Sequence, residues 1–259
     1  MLLTIDVGNS NMVFGLFEGN QLVGSFRLMS DSGRTSDELG FSVCDYFNRF
    51  NLKVQDVDDV IISSVAPRMM NILNAAMVKY LNKKPLVIYE DIHPVIPCEV
   101  SGQLGADRAV SCIAAMEKYD MPLIILDFGT ATTIDALSKE GNYLGGCILA
   151  GLRTSNDALF KQAAMLPQIE LVAPDTVLGL DTITQIQIGS ILGYIGGMKY
   201  LVERTKEEMG CGDEVKVIGE GGLVHLVAGN SNFIDIVDDN LILDGLRILY
   251  ERFKKGEQR

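Results

Sequence analysis

The chain has 259 residues, and its 22 Lys and Arg against 34 Asp and Glu give a formal charge of −12. With 47% hydrophobic and 22% charged residues it has the composition of a folded protein, which excludes wholesale disorder, and its length suits one or two domains. The acidic balance argues against nucleic acid or an anionic membrane as partner, since either needs clustered Lys and Arg.

From the N-terminus, Leu3-Thr4-Ile5 is an apolar strand running into Asp6-Val7-Gly8-Asn9-Ser10-Asn11, a small polar loop. Two more strands around a Gly19-Asn20 turn complete the pattern of an antiparallel meander. Glu38 to Phe50 spaces Leu39, Val43, Tyr46, Phe47 and Phe50 on one helical face. Val60 to Val65 and Leu86 to Tyr89 are near-continuous apolar runs, suited to parallel strands buried on both faces. A further helix is expected to begin near Ala106.

The same order then returns. Ile124 to Thr132 repeats the strand and loop, with Asp127 over Asp6 and Gly129 over Gly8, and Leu16 to Gly24 lies over Leu137 to Gly145 at the same offset. Ser155 to Ala164 reads as a helix with Ala158, Leu159 and Ala163 inward. Strands are expected at Val215 to Gly219 and Phe233 to Val237. Between them, a glycine-punctuated helix from Thr184 to Met209 is apolar around much of its girth, at Ile186, Ile188, Ile191, Leu192, Ile195 and Met198. That excess calls for a partner and predicts a homodimer. Both halves read β-β-β-α-β-α-β, so the fold class is α/β, with domains 1–118 and 119–259 expected to face across a cleft.

Five scattered cysteines without a C-x-x-C pair read as buried thiols of a reducing cytosol. With only His93 and His225 besides, no structural zinc site is expected; His93 reads as a loop residue and His225 as a structural histidine on a helix face. Asp6 comes too early for a secretory signal, and glycines and Lys199 interrupt the weakly polar stretch 186–202. A cytoplasmic protein with no membrane span is the expectation.

The repeated Asp-x-Gly turns carry the chemistry. Each glycine lets the backbone approach a ligand closely, and the N–H, hydroxyl and amide groups beside it suit phosphate oxygens. The two aspartates suit the metal ions that neutralise a phosphate tail. One such turn means little; two in register, each after an apolar strand, point to nucleotide phosphates. Asp107, at the mouth of the helix near Ala106, sits where the helix dipole favours a carboxylate and where it can accept a hydroxyl proton. Arg108 offers a planar fork for a ligand carboxylate. An N-cap with a surface partner is the other reading of that pair.

These residues resemble the superfamily of actin, hexokinase and the heat-shock ATPases, with duplicated ribonuclease H-like domains. Asp6 to Asn11, Thr35-Ser36-Asp37-Glu38, Gly105-Ala106-Asp107-Arg108, Asp127-Phe128-Gly129-Thr130-Ala131-Thr132-Thr133 and Gly179-Leu180-Asp181-Thr182 are similar to the motifs of type III pantothenate kinases. The resemblance implies phosphorylation of pantothenate by ATP with Mg2+, the first step of coenzyme A biosynthesis, in a homodimer. It implies a first phosphate loop from Asp6, Val7, Gly8, Asn9, Ser10 and Asn11 to Met12 and Val13, and Thr130 on the ATP phosphates. It implies Asp127 as ligand of a monovalent cation, K+ or NH4+. Gly105, Ala106, Asp107 and Arg108 would bind pantothenate, with Asp107 as general base, and Thr182 would reach the substrate from the second subunit.

The chain departs from that pattern at Ser10 (usually Thr), Cys98 (Tyr), Val100-Ser101 (Asn-Pro), Ala150 (Pro) and Glu220 (Thr). The departures cluster on the substrate and adenosine sides and leave both phosphate turns and the base intact. Two other readings therefore stay open: a non-catalytic nucleotide-binding relative, similar to the Bvg accessory factor-like regulators, and a kinase of another hydroxy acid.

Overall fold

The computed structural model describes residues 1–97 and 104–257, so Cys98 and Val100-Ser101 lie outside the described residues. Two compact units result. One comprises residues 1–96, 104–117 and 240–257; the other comprises Pro97 and residues 118–239.

In the first unit, β1 (Leu2–Val7), β2 (Asn11–Glu18) and β3 (Gln21–Met29) form the expected antiparallel meander. β4 (Asp59–Ser64) joins the other side of β1 in parallel, and β5 (Leu86–Val87) extends the sheet. The strand order is β3-β2-β1-β4-β5. Five of the six residues of β1 are buried, which is why this strand reads as an apolar run rather than as an alternation.

Helix α1 (Ser36–Arg49) starts two residues before its expected position because Thr35 caps it. The Thr35 hydroxyl accepts from Glu38 N (3.2 Å), and Thr35 N donates back to Glu38 Oε2 (2.7 Å), a reciprocal capping box worth about 1 kcal/mol. Leu39, Val43 and Phe47 of this helix enter the core, where Phe14, Phe26 and Tyr46 stack at centroid separations of 4.5 and 4.1 Å. Helices α2 (Pro67–Ala76) and α3 (Ala106–Lys118) complete this part of the chain.

The second unit repeats the plan. β6 (Leu123–Phe128), β7 (Ala131–Leu137) and β8 (Tyr143–Ala150) form the meander. β9 (Lys216–Glu220) runs parallel to β6, and β10 (Ile236–Val237) flanks it, in the order β10-β9-β6-β7-β8. Counted from the meander side, the two sheets have one topology. The helices are α4 (Leu152–Gln162), α5 (Thr182–Gln187), α6 (Gly193–Met209) and α7 (Val224–Ala228), with a π turn, Ile188–Leu192, between α5 and α6.

Several expectations need correction. The tail does not belong to the second domain. Helix α8 (Leu241–Lys254) buries Leu243, Leu246 and Leu249 against Leu2, Phe17, Ile61 and Val110 of the first unit. Gly245 lets this helix approach α3: a Cβ there would lie 2.4 Å from the Val110 carbonyl. In α4 the inward residues are Leu152 and Asn156, while Leu159 is exposed. The outer strands are shorter than expected. Asp91 Oδ2 takes the Val87 N–H at 2.9 Å, and Tyr89 adopts a left-handed φ of 70°, so β5 ends at Val87. Asp235 Oδ2 takes the Val217 N–H at 2.8 Å and delays β10 to Ile236.

Helix α8 is also tied to β4 by Tyr250, which donates to Asp59 Oδ2, while Lys254 Nζ lies 2.9 Å from the same oxygen. Burial, then the bond to Asp59 and its charge, push the Tyr250 phenol up to about 12. An unfolded tyrosine titrates near pH ~10. The raised folded value means this stabilisation is whole below that pH and is lost as pH rises through about 12. Tyr250→Phe should cost about 1–2 kcal/mol at neutral pH and flatten the alkaline loss. Urea midpoints of both proteins at about pH 8 and about pH 11 check this.

Candidate functional site

In each unit the central strand carries an aspartate as its penultimate residue, and a glycine turn follows its end. After β1, Gly8 N donates to Asn11 O at 3.0 Å and closes the turn. Ser30, beyond β3, clamps it from the side: its hydroxyl donates to Gly8 O at 2.6 Å and its N–H to Ser10 O at 3.0 Å. Asn9, Ser10 and Asn11 are left exposed. Met12 points into the core and is fully buried, so of the expected loop Asp6 to Val13 it has only backbone to offer a ligand.

After β6, Gly129 N donates to Ala131 O at 3.1 Å. The Thr130 carbonyl accepts from Gly151 N (3.0 Å) and from the Thr154 hydroxyl (2.7 Å), which fixes this turn to the start of α4. Only glycine fits at 151, because a Cβ would sit 2.3 Å from the Gly129 carbonyl. Thr130 and Ala131 are exposed beside a helix N-terminus, a setting that suits anionic oxygens.

The neighbours of the two aspartates differ. Asp6 is in register with Ser63 of β4; Asp127 is in register with Thr133 of β7 and Glu220 of β9. Paired residues project from the same face of a sheet, so two carboxylates stand side by side in the second unit. Glu220 is only 5% exposed. Gly221 comes next with φ +93°, and a Cβ there would lie 2.4 Å from Asp127 Oδ1, so only glycine fits.

Both places have the oxygen-donor chemistry of hard cations. The Ser63 hydroxyl is fully buried without a hydrogen-bond partner among the described residues, an orphaned group that suits a magnesium-bound water beside Asp6. The paired carboxylates of Asp127 and Glu220 suit a cation in the second unit. Among the described residues no three His, Cys, Asp or Glu side chains group to hold a metal, so a cation would complete its shell with phosphate or water.

Asp107 lies in the first turn of α3, in the first unit with Asp6; Asp127, Thr130 and Thr182 lie in the second. Asp107 is inside the helix rather than at its cap. Its Oδ1 accepts from Arg108 N at 2.8 Å and folds back over Gly105, where a Cβ would stand 2.8 Å away. Both Asp107 and Arg108 are half-buried, and Ala106 is in the core.

Tyr89 is a neighbour that sequence reasoning missed. It packs on the cluster that holds Ala106 and Val110, and burial, then the charges of Cys112 and Asp107, raise its phenol above the usual value. No composition or spacing marks it; its signature is the left-handed backbone.

Thr182 opens α5 and is exposed, with Asp181 capping the helix through Thr184 N (3.0 Å) and Oγ1 (2.7 Å). Of the apolar residues expected to seek a partner, Ile186, Ile191, Ile195 and Met198 are consumed by the core of their own unit. The uncovered apolar groups lie just before them, at Val177, Leu178, Leu180 and Ile183, with Leu180 100% exposed. His225 is exposed, its Nε2 at 2.9 and 3.0 Å from the Asp239 carboxylate oxygens, rather than built into a core. His93 is exposed and meets the Tyr89 ring edge-on.

Among the described residues no helix is long and apolar enough to cross a membrane. Among solved structures, a Campylobacter jejuni protein described as a Baf family transcriptional activator is 20% identical, with TM-score 0.62 over 98% of this chain and 99% of its own. The activator of the 2-hydroxyisocaproyl-CoA dehydratase from Clostridium difficile, solved with bound ADPNP, is 13% identical, with TM-score 0.54 over 100% and 97%. A Listeria monocytogenes protein described as an N-acetylmannosamine kinase is 11% identical, with TM-score 0.52 over 98% and 99%. At these identities the likeness is one of fold, the two-domain actin-like fold. The family model for type III pantothenate kinase matches residues 2–204. The chain belongs to the type III pantothenate kinase family, as a divergent member with the kinase-type architecture for ATP and magnesium.

Proposed function

We propose that the protein transfers the γ-phosphoryl group of ATP to the hydroxyl of pantothenate, giving 4′-phosphopantothenate and ADP. The observation that carries this reading is the pair of Asp-x-Gly turns, each at the end of a buried central strand and each clamped from behind. Asp107 accepts the hydroxyl proton as the oxygen attacks phosphorus, and the bond to the bridging oxygen of ADP breaks. The guanidinium of Arg108 pairs with the pantothenate carboxylate. N–H groups of the turns bind phosphate oxygens, and Asp107, half-buried in the first turn of α3, stays open enough to meet a substrate hydroxyl. Asp6 and Ser63 would hold the magnesium shell and Asp127 a monovalent cation; bound there, these ions neutralise phosphate charge.

A second reading, a nucleotide-binding regulator without catalysis, is favoured by the fold likeness to the Campylobacter jejuni protein and by Glu220 beside Asp127. Mass spectrometry of pantothenate and other hydroxy acids incubated with ATP, magnesium and potassium separates the readings. Phosphopantothenate supports the kinase, another phosphorylated acid redirects the substrate, and ATP binding without product supports the regulator.

Asp107→Asn is expected to lower turnover by about 10²–10⁴ with little change in substrate affinity, because asparagine keeps hydrogen bonds but takes no proton. Initial rates at saturating ATP test it, and near-wild-type turnover removes Asp107 from the mechanism. Glu220→Thr is expected to tighten ATP binding, more at low salt than at high, by removing one of two adjacent carboxylates. Calorimetric titrations at two ionic strengths check this; weaker binding would make Glu220 a nucleotide ligand. A homodimer is expected through the Val177–Ile183 region, with Thr182 acting in trans. Co-expressing Asp107→Asn with Thr182→Ala chains should then restore about a quarter of the sites, since half the dimers are mixed and each holds one intact pair. A monomer in sedimentation defeats the idea.

A further inference from the structure

The second phosphate turn is held from three directions, and only two of them come from the turn's own neighbourhood. One is its internal bond, from Gly129 N to Ala131 O. The next is the start of α4, through Gly151 and Thr154. The third comes from α6. Tyr194, its second residue, shares a 2.5 Å hydrogen bond with the Thr132 hydroxyl. Thr132 is fully buried at the root of β7, where its hydroxyl needs a partner. It also pairs with Phe128, the last residue of β6, and the Tyr194 ring meets Phe128 edge-on at 6.5 Å and 63°. Tyr194 therefore touches both strands that flank Gly129, Thr130 and Ala131.

The helix carrying Tyr194 departs from regular form just before it. The π turn Ile188–Leu192 takes in one residue more than an α turn, which rotates the face of α6 by about 100°. The rotated register buries Ile191, Ile195 and Met198 and brings Tyr194, one turn from Ile191, to the strand ends. Burial above all keeps the Tyr194 phenol above its usual value, and the negative charge of Asp127 adds to this against the pull of the Thr132 bond.

We propose that Tyr194 is a positioning residue for nucleotide phosphates: by fixing Thr132 and Phe128 it sets the direction in which the backbone of Gly129 to Ala131 faces a phosphate tail. The proposal rests on the reading of that turn as a phosphate site. Phenylalanine would fill the same space, so the role lies in the hydroxyl.

The test compares wild type, Tyr194→Phe and the double variant Tyr194→Phe with Thr132→Val. ATP is titrated by calorimetry, adenosine by ligand-observed NMR, and stability is followed by thermal unfolding. Tyr194→Phe is expected to weaken ATP about tenfold and adenosine by less than about twofold, because only ATP has phosphates for the turn to meet. The double variant leaves no buried hydroxyl unpaired, so its stability should return towards wild type while ATP binding stays weak. The proposal is overturned if Tyr194→Phe binds ATP as wild type does, if it weakens adenosine equally, or if the double variant regains ATP affinity along with stability. Wild type that binds neither ligand overturns the phosphate reading itself, and the proposal with it.

Discussion

Each unit depends on a central strand, buried on both faces, whose penultimate residue is a carboxylate. In β1, Leu3, Ile5 and Val7 enter one core while Leu2 enters another on the opposite face; in β6, Ile124, Leu126 and Phe128 enter one core while Leu123 and Ile125 are buried on the alternate face. A side chain of this size contributes about 1.5–3 kcal/mol when buried. A slip of one residue would turn every side chain to the other face and drive Asp6 or Asp127 into the apolar cluster. The cores therefore fix the aspartates at the strand ends.

That constraint explains why the turns can be built from small residues without becoming loose. Once the strand end is fixed, a glycine turn needs only a few bonds from behind, and the two units supply them differently. The first uses Ser30, just beyond β3; the second uses Gly151 and Thr154 at the start of α4 and Tyr194 of α6. The cost of this design is intolerance of any side chain at Gly151 or Gly221, where a Cβ would overlap backbone or the Asp127 carboxylate.

The duplication was legible in the sequence because a matched Asp and Gly survive at one offset where the central strand of each unit runs into its turn. The meanders, the parallel strands and α1 came from periodicity, and Thr35 with Glu38 shows why α1 begins where it does. The features that escaped were set by contacts distant in sequence. The apolar face of α8 looks the same whichever sheet it covers, so only its packing on Leu2 and Ile61 could assign it to the first unit. The inward face of α4 is set by Gly151 rather than by its alanines. The ends of β5 and β10 were moved by single aspartate side chains. At the site, the motif residues stood out by identity and spacing. Tyr89 and Tyr194 did not, since one is marked by a backbone angle and the other by a π turn, and neither leaves a periodic trace.

The symmetry of the fold also isolates the chemical difference between the two units. Position for position, Ser63 accompanies Asp6 and Glu220 accompanies Asp127. Neighbouring strands lie about 4.8 Å apart, a distance at which two charges interact by about 1 kcal/mol in water and several times more where water is thinned. The first unit offers one carboxylate and a neutral hydroxyl beside its turn. The second offers two carboxylates, one of them buried, beside a turn suited to anions. On the proposed reading, phosphate approaching the second turn meets the repulsion of two carboxylates where the first presents one, and a monovalent cation on Asp127 would offset one of those two charges. The difference between the two turns thus comes down to one pair of positions, glutamate in the second unit where the first has serine.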